Sequence, residues 1–192
     1  MTKEDLEKLA EELKNFPGNT RGESFLTRKK FIERKEGKEG VKKLEKKMKE
    51  LGHPIVFDEI ARGGWVNDGT NSLSIVVAKE IFGWEEEDVF ELGRFNLKNS
   101  WITRTVLFYF VSIDKAFSVI PKYWERYYDI GELVGTYLDK DNKYAIMEKR
   151  GYKTHPLICH QHRGYLHAGV ELVTGSDKVT VNEKSAYTEE VK

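Results

Sequence analysis

The stretch from Pro121 to Thr174 constrains the fold most. It opens with an aromatic stripe, Trp124, Tyr127 and Tyr128, at the i, i+3, i+4 spacing of one helix face. Two alternating segments follow, 131–139 and 143–151, and Asp141-Asn142 supplies the turn of a hairpin between them. Leu133, Val134, Tyr144 and Ile146 are the candidates for its buried face. A second helix starts near Thr154 or His155, with Pro156 in its first turn, and stops at Gly175. It carries four of the five histidines and the only cysteine, Cys159. A hairpin between two helices has to bury one face against helices. The expected fold class is therefore α/β in the α+β sense, with several N-terminal helices packed on a small antiparallel sheet and a pocket between helices and sheet.

Upstream of this stretch the pattern is mainly helical. Residues 4–15 place Leu6, Leu9, Ala10 and Leu13 at helical spacing, and Phe16-Pro17-Gly18-Asn19 ends the run. Residues 22–35 and 38–51 read as two further amphipathic helices separated by a break at Gly37 and Gly40. Their charges fall mostly at i, i+4, the pattern of solvated faces. Residues 62–69 read as a loop, and 70–82 as a largely apolar helix capped by Thr70 or Asn71. The acids of Glu85–Asp88 suit the start of a helix over 85–97, where the macrodipole favours negative charge. Residues 99–111 are apolar nearly all round apart from Arg104, the pattern of a buried helix. Helical spacing continues over 113–120, and Pro121 fits the first turn of the next helix. Lys178–Asn182 reads as a last strand.

The 192 residues suit a single domain over 1–192, made of a helical N-terminal part, 1–51, and a ligand-binding-like core, 52–192. A net charge of +0 argues against nucleic acid as a partner, because no excess of cations offers a field to phosphates. One cysteine excludes an internal disulfide. No signal peptide or membrane span is evident, so the expected setting is cytoplasmic.

The last helix holds the candidate chemistry. Its expected apolar arc contains Leu157, Ile158, Tyr165, Leu172 and Val173, with His155, Cys159 and His162 on or beside it. His160 and His167 fall on the polar, solvated side. Pairs at i, i+3 and i, i+4 suit two ligands of one zinc or iron ion. His155 and His162, however, differ in rise by roughly 10 Å, too far for one ion. Packing, pocket lining, a metal site and a Cys–His nucleophile pair are the alternatives for these side chains. No motif of a known reaction appears. Large amphipathic side chains beside a few polar tips suit a pocket for a small apolar or amphipathic ligand. Its expected lining is Phe108, Trp124, Tyr127, Tyr128, Ile158, His162 and Tyr165.

Several features together carry a family resemblance. They are Trp65 before an apolar helix, Gly93 closing the acidic helix, Pro121-x-x-Trp124-x-x-Tyr127-Tyr128-x-x-Gly131 before the hairpin, His155-Pro156-x-x-Cys159, and Gly164. From about Gly22 onward the chain resembles the 4-vinyl-reductase (hydrocarbon-binding) sensor domains. More distantly it resembles haem-NO-binding domains and Bet-three-like trafficking subunits. The resemblance implies a sensory or regulatory ligand-binding module that works as a homodimer or with a separate signalling protein. The trafficking relatives imply the alternative of a non-enzymatic dimeric scaffold. Haem is not expected, because the Tyr-x-Ser-x-Arg signature is absent. The polar tail 183–192 also lacks the cysteine that vinyl-reductase-like domains often carry there.

Overall fold

A computed structural model of the chain describes residues 1–100 and 113–184. Among these residues the fold is α+β, with six α-helices and two separate two-stranded antiparallel sheets. The expected helix over 99–111 falls largely outside the described residues, as do Arg104 and Phe108.

Helix α1 spans Lys3–Lys14. Thr2 and Asp5 form a capping box that satisfies its first free N–H groups, and Leu6, Ala10 and Leu13 are buried. Helix α2 spans Gly22–Glu50 and bends at Gly37, whose φ of 74° and ψ of 179° only glycine adopts readily. The break read from the sequence is this kink, and the two expected helices are its arms. Strands β1 (Asn19–Arg21) and β2 (Trp65–Asn67) pair antiparallel, with Thr20 opposite Val66. Three residues are too few to show a period, so this sheet replaces what reads as loop in the sequence.

Helix α3, Asp68–Phe82, begins directly after β2 and is the centre of the core. Its cap is Asn67, which accepts from the Thr70 N–H at 3.1 Å, three residues before Thr70 and four before Asn71, the caps expected from the sequence. All residues from Asn71 to Ala78 are buried. The His53 ring ties it to α1, donating from Nε2 to Ala10 O at 2.8 Å and accepting from the Thr70 hydroxyl at 3.0 Å. Helix α4 spans Glu86–Asn99, so Gly93 lies within it rather than closing it.

Helix α5 is continuous from Ile113 to Tyr127 with Pro121 inside it. Proline was expected to open a helix, since it lacks the N–H that an interior position uses. Here one ladder bond is forgone and the amphipathic face continues through it. Strands β3 (Glu132–Asp139) and β4 (Tyr144–Arg150) form the hairpin, with a bulge between Gly135 and Tyr137. Its turn is held by Asp139, which accepts from the Asn142 N–H at 2.9 Å. Tyr144, expected inward, is 42% exposed. The hairpin packs mainly on α5, at a point where Gly135 faces Phe117, and its β4 strand reaches α6 through Lys149.

Helix α6, Leu157–Thr174, packs closely along α4. The crossing is so tight that a Cβ on Gly93 would lie 1.9 Å from Gln161 O, and one on Gly164 1.9 Å from Phe90 O. The buried stripe of α6 is accordingly Leu157, Ile158, Gln161, Gly164 and Ala168. Leu157 and Ile158 of the expected arc are buried, but its far end is not: Leu172 is 51% exposed. Close backbone approach selects small side chains and turns the large ones aside. The supposedly solvated face is covered too. His167 meets the Phe90 ring edge-on at 5.4 Å and donates to Val179 O at 3.0 Å. Arg163 Nε donates to Val181 O at 3.2 Å. The expected strand over 178–182 is thus an extended segment held by α6 side chains, with no strand partner among the described residues.

The crossing predicts opposite signs for three similar substitutions. Gly93→Ala and Gly164→Ala meet backbone, so each should destabilise by about 2 kcal/mol or more. Gly169→Ala meets only the flexible end of Leu97 at 3.4 Å. It should gain up to about 1 kcal/mol from helix propensity. Urea unfolding of the three variants checks both signs.

Candidate functional site

Four rings gather where α5 ends, β4 ends and α6 begins. Trp124 stacks on Tyr128, with centroids 4.3 Å apart and planes at 24°. Tyr152 stands edge-on to both, at 5.1 and 5.3 Å. The His162 imidazole closes the group at 5.4, 5.7 and 5.6 Å from Trp124, Tyr128 and Tyr152. Each ring therefore touches the other three. The Trp124 indole N–H donates to Ile130 O at 2.9 Å, which fixes its orientation.

Behind the rings lies a buried polar network on α2 and α3. The Tyr152 hydroxyl donates to Asp68 Oδ2 at 2.5 Å, and Asn71 Nδ2 donates to Asp68 Oδ1 at 2.7 Å. Arg28 Nη2 donates to Asn71 Oδ1 at 2.5 Å, and Nη1 reaches Asn71 O at 3.3 Å and Ser74 Oγ. Asp68 and Arg28 are both fully buried. Asn71 bridges them, so the two charges compensate each other only at a distance. Loss of water pushes the Asp68 carboxyl up from 3.8 to about 6, against its hydrogen bonds from Tyr152 and Asn71 and the more distant Arg28 and Lys149. The same loss of water lowers the Arg28 guanidinium to about 10. Arg28 Nε finds no hydrogen-bond acceptor among the described residues.

His162 joins the rings to β4. Its Nε2 lies 3.1 Å from the Tyr128 hydroxyl and its Nδ1 lies 3.3 Å from Lys149 Nζ. An ammonium has only donors, so Nδ1 accepts and the neutral ring carries its proton on Nε2, donating to Tyr128. Burial, then the Lys149 charge, holds the imidazole well below its usual range. Lys149 Nζ also lies 3.7 Å from Cys159 Sγ and 4.9 Å from the Tyr152 ring centroid. Burial raises the Cys159 thiol despite Lys149, which disfavours the thiolate a nucleophile needs.

The structure thus brings together Trp124, Tyr128 and His162 from the expected lining. Ile158 is fully buried in the main core. Tyr127 and Tyr165 form a separate pair 6.4 Å apart, and the Tyr127 hydroxyl bonds Ser100 Oγ at 2.6 Å and Glu23 Oε2 at 3.2 Å. Phe108 lies outside the described residues. His155 Nδ1 accepts from the Leu157 N–H at 3.1 Å, and both His162 nitrogens are engaged. The described residues contain no group of three or more His, Cys, Asp or Glu side chains placed to hold a metal ion. Two clefts among the described residues lie elsewhere, one at Phe31 and Phe95 and one at Ile55 and Val66.

Sequence reasoning missed Arg28, Asp68, Asn71, Lys149 and Tyr152. Arg28 lies in a helix dense with charges, where nothing distinguishes the one that turns inward. Asp68 reads as a turn residue before Gly69. Only the alternation of β4 hinted at Lys149, which it places on the same face as Met147.

No protein-family model, no curated protein and no solved structure matches this chain.

Asp68 makes stability depend on pH with a definite sign. Its folded pKa lies above the unfolded value, so its contribution is complete below pH 3.8 and is lost as pH rises through about 6. Asp68→Asn removes that dependence. The stability of the variant relative to wild type should rise by about 3 kcal/mol between roughly pH 4 and pH 8. The opposite dependence from His162, whose lowered pKa costs stability as pH falls below 6.5, is common to both proteins and cancels in the difference. Urea midpoints across this range test it, and a flat difference counts against a buried ionising Asp68.

Proposed function

We propose that this chain is a small-molecule-binding regulatory domain whose site is the Trp124–Tyr128–Tyr152–His162 cluster. The observation that carries the reading is the polarity behind the rings. A buried carboxylate and a buried guanidinium that do not pair directly cost stability that an apolar core of the same size would not. Strongly shifted titratable groups beside an aromatic cluster are the usual signature of a binding or reactive site. The half-buried Lys149 and Cys159 flank the rings. An amphipathic ligand would lay its apolar body along the rings and direct its polar end to the Lys149 ammonium and the His162 imidazole.

The resemblance to hydrocarbon-binding sensor domains supports the same class of function, with a cytoplasmic setting and a separate signalling partner. No helix among the described residues is long and apolar enough to cross a membrane. A second reading, a dimeric scaffold, is favoured by the hairpin. There Tyr137 and Tyr144 are 49% and 42% exposed, with rings 6.2 Å apart.

Native mass spectrometry of the purified protein, with a denatured mass alongside, separates the two. The sensor reading expects a reproducible excess mass that Lys149→Gln and His162→Ala each reduce and Trp124→Ala abolishes. An excess mass unchanged in both His162→Ala and Trp124→Ala would place the ligand elsewhere. The scaffold reading expects a bare dimer that Tyr137→Ser with Tyr144→Ser converts to monomer.

A further inference from the structure

A cleft of about 380 Å³ lies between the first arm of α2 and the last turns of α4. It shares no lining residue with the ring cluster. Phe31 and Arg34 of α2 stand three residues apart, on one face. Glu91, Arg94, Phe95 and Lys98 of α4 follow the i, i+3, i+4, i+7 pattern of a single face. The two faces meet across the cleft.

The floor is aromatic and firmly backed. Phe31 and Phe95 lie 5.4 Å apart at 63°. Trp84 stands edge-on behind Phe31 at 5.5 Å, and its indole N–H donates to Glu36 at 2.8 Å. The rim is cationic. Arg94 donates to Glu91 at 2.7 Å and to both oxygens of Glu171 at 3.0 and 3.1 Å. Lys98 reaches Glu171 at 3.0 Å. These two cations are therefore matched by two carboxylates. Arg34 is the third cation on the rim and has no ion pair or hydrogen bond among the described residues. Arg94 Nε likewise has no acceptor among them.

We propose that this cleft binds a small aromatic carboxylate, with its ring against Phe31 and Phe95 and its carboxylate on Arg34. A guanidinium with all its donors open matches the two oxygens of a carboxylate as a fork. The tilted phenylalanine pair offers an edge and a face to a planar ring. The volume falls in the range of small-molecule sites, about 300–1,000 Å³. Arg34 is exposed, so it can exchange water for a ligand without opening the fold.

The test uses the full chain labelled with ¹⁵N and follows the indole N–H signal of Trp84, assigned with Trp84→Phe. The probe is 2-naphthoate, compared with its neutral isostere 2-naphthamide and with inorganic phosphate. The naphthoate should shift the Trp84 signal saturably. The amide and phosphate should each bind at least about tenfold more weakly, the loss expected when either the charge-assisted pair or the ring contact is missing. Arg34→Gln should weaken naphthoate about tenfold while leaving the amide unchanged, and an unaltered Tm confirms an intact fold. The proposal is overturned by the absence of a saturable shift, by equal binding of acid and amide, by phosphate binding as tightly as naphthoate, or by full naphthoate affinity in Arg34→Gln.

Discussion

A carboxylate without water must find its hydrogen bonds inside the protein, and Asp68 obliges much of this fold to supply them. It sits at the first turn of α3, where the unpaired helix N–H groups favour an anion. Its own N–H donates to Gly18 O at 2.8 Å, which holds the α1–β1 connection against the start of α3. Its two oxygens take Asn71 from within α3 and Tyr152 from beyond the hairpin. Asn71 in turn holds Arg28 of α2. One buried acid therefore links segments from four parts of the chain, and moving any of them leaves a polar group unsatisfied at a cost of about 1–3 kcal/mol.

The tight crossing of α4 and α6 sets the other side of the site. With Gly93 and Gly164 at the contact, α6 cannot rotate about its axis without driving a larger side chain into α4. That rotation decides which histidine faces the rings. His162 turns to Trp124 and Tyr128, while His167, five residues later, turns to Phe90. The neutral, part-buried state of His162 and the covered state of His167 are both consequences of a helix setting made by glycines. The two halves meet at Tyr152, whose ring packs on His162 and whose hydroxyl bonds Asp68.

Trp124, Tyr128 and His162 of the ring cluster were legible, whereas Tyr152 and the charged positions were not. Trp124 and Tyr128 stand out because large rings at helical spacing are rare on a solvated surface, and His162 because it lies near the apolar arc. Arg28, Asp68 and Lys149 sit among many charged neighbours, and burial of one charge leaves no mark on local periodicity. The arc of α6 was misread for a related reason. Hydropathy weights Leu172 as inward, yet a close helix contact is lined by the residues with least side chain. The β1–β2 pair was missed because three-residue strands hold together through partners far along the chain rather than through their own pattern.

The sequence by itself determined the local architecture. Thr2 and Asp5 cap α1, Gly37 bends α2, Asp141-Asn142 turns the hairpin, and α3 is apolar enough that it has to be central. These follow from short-range sterics, hydrogen bonding and the burial of apolar surface, which depend on neighbours within a few residues. The tertiary structure alone decided that Asp68 would lose its water, that Asn71 would bridge it to Arg28, that His162 would stay neutral between Tyr128 and Lys149, and that Arg34 would line one cleft with Phe31 and Phe95, with no ion pair among the described residues. Each of those is a property of groups distant in the chain, and their charge states are set by distance and dielectric, which exist only once the helices have packed.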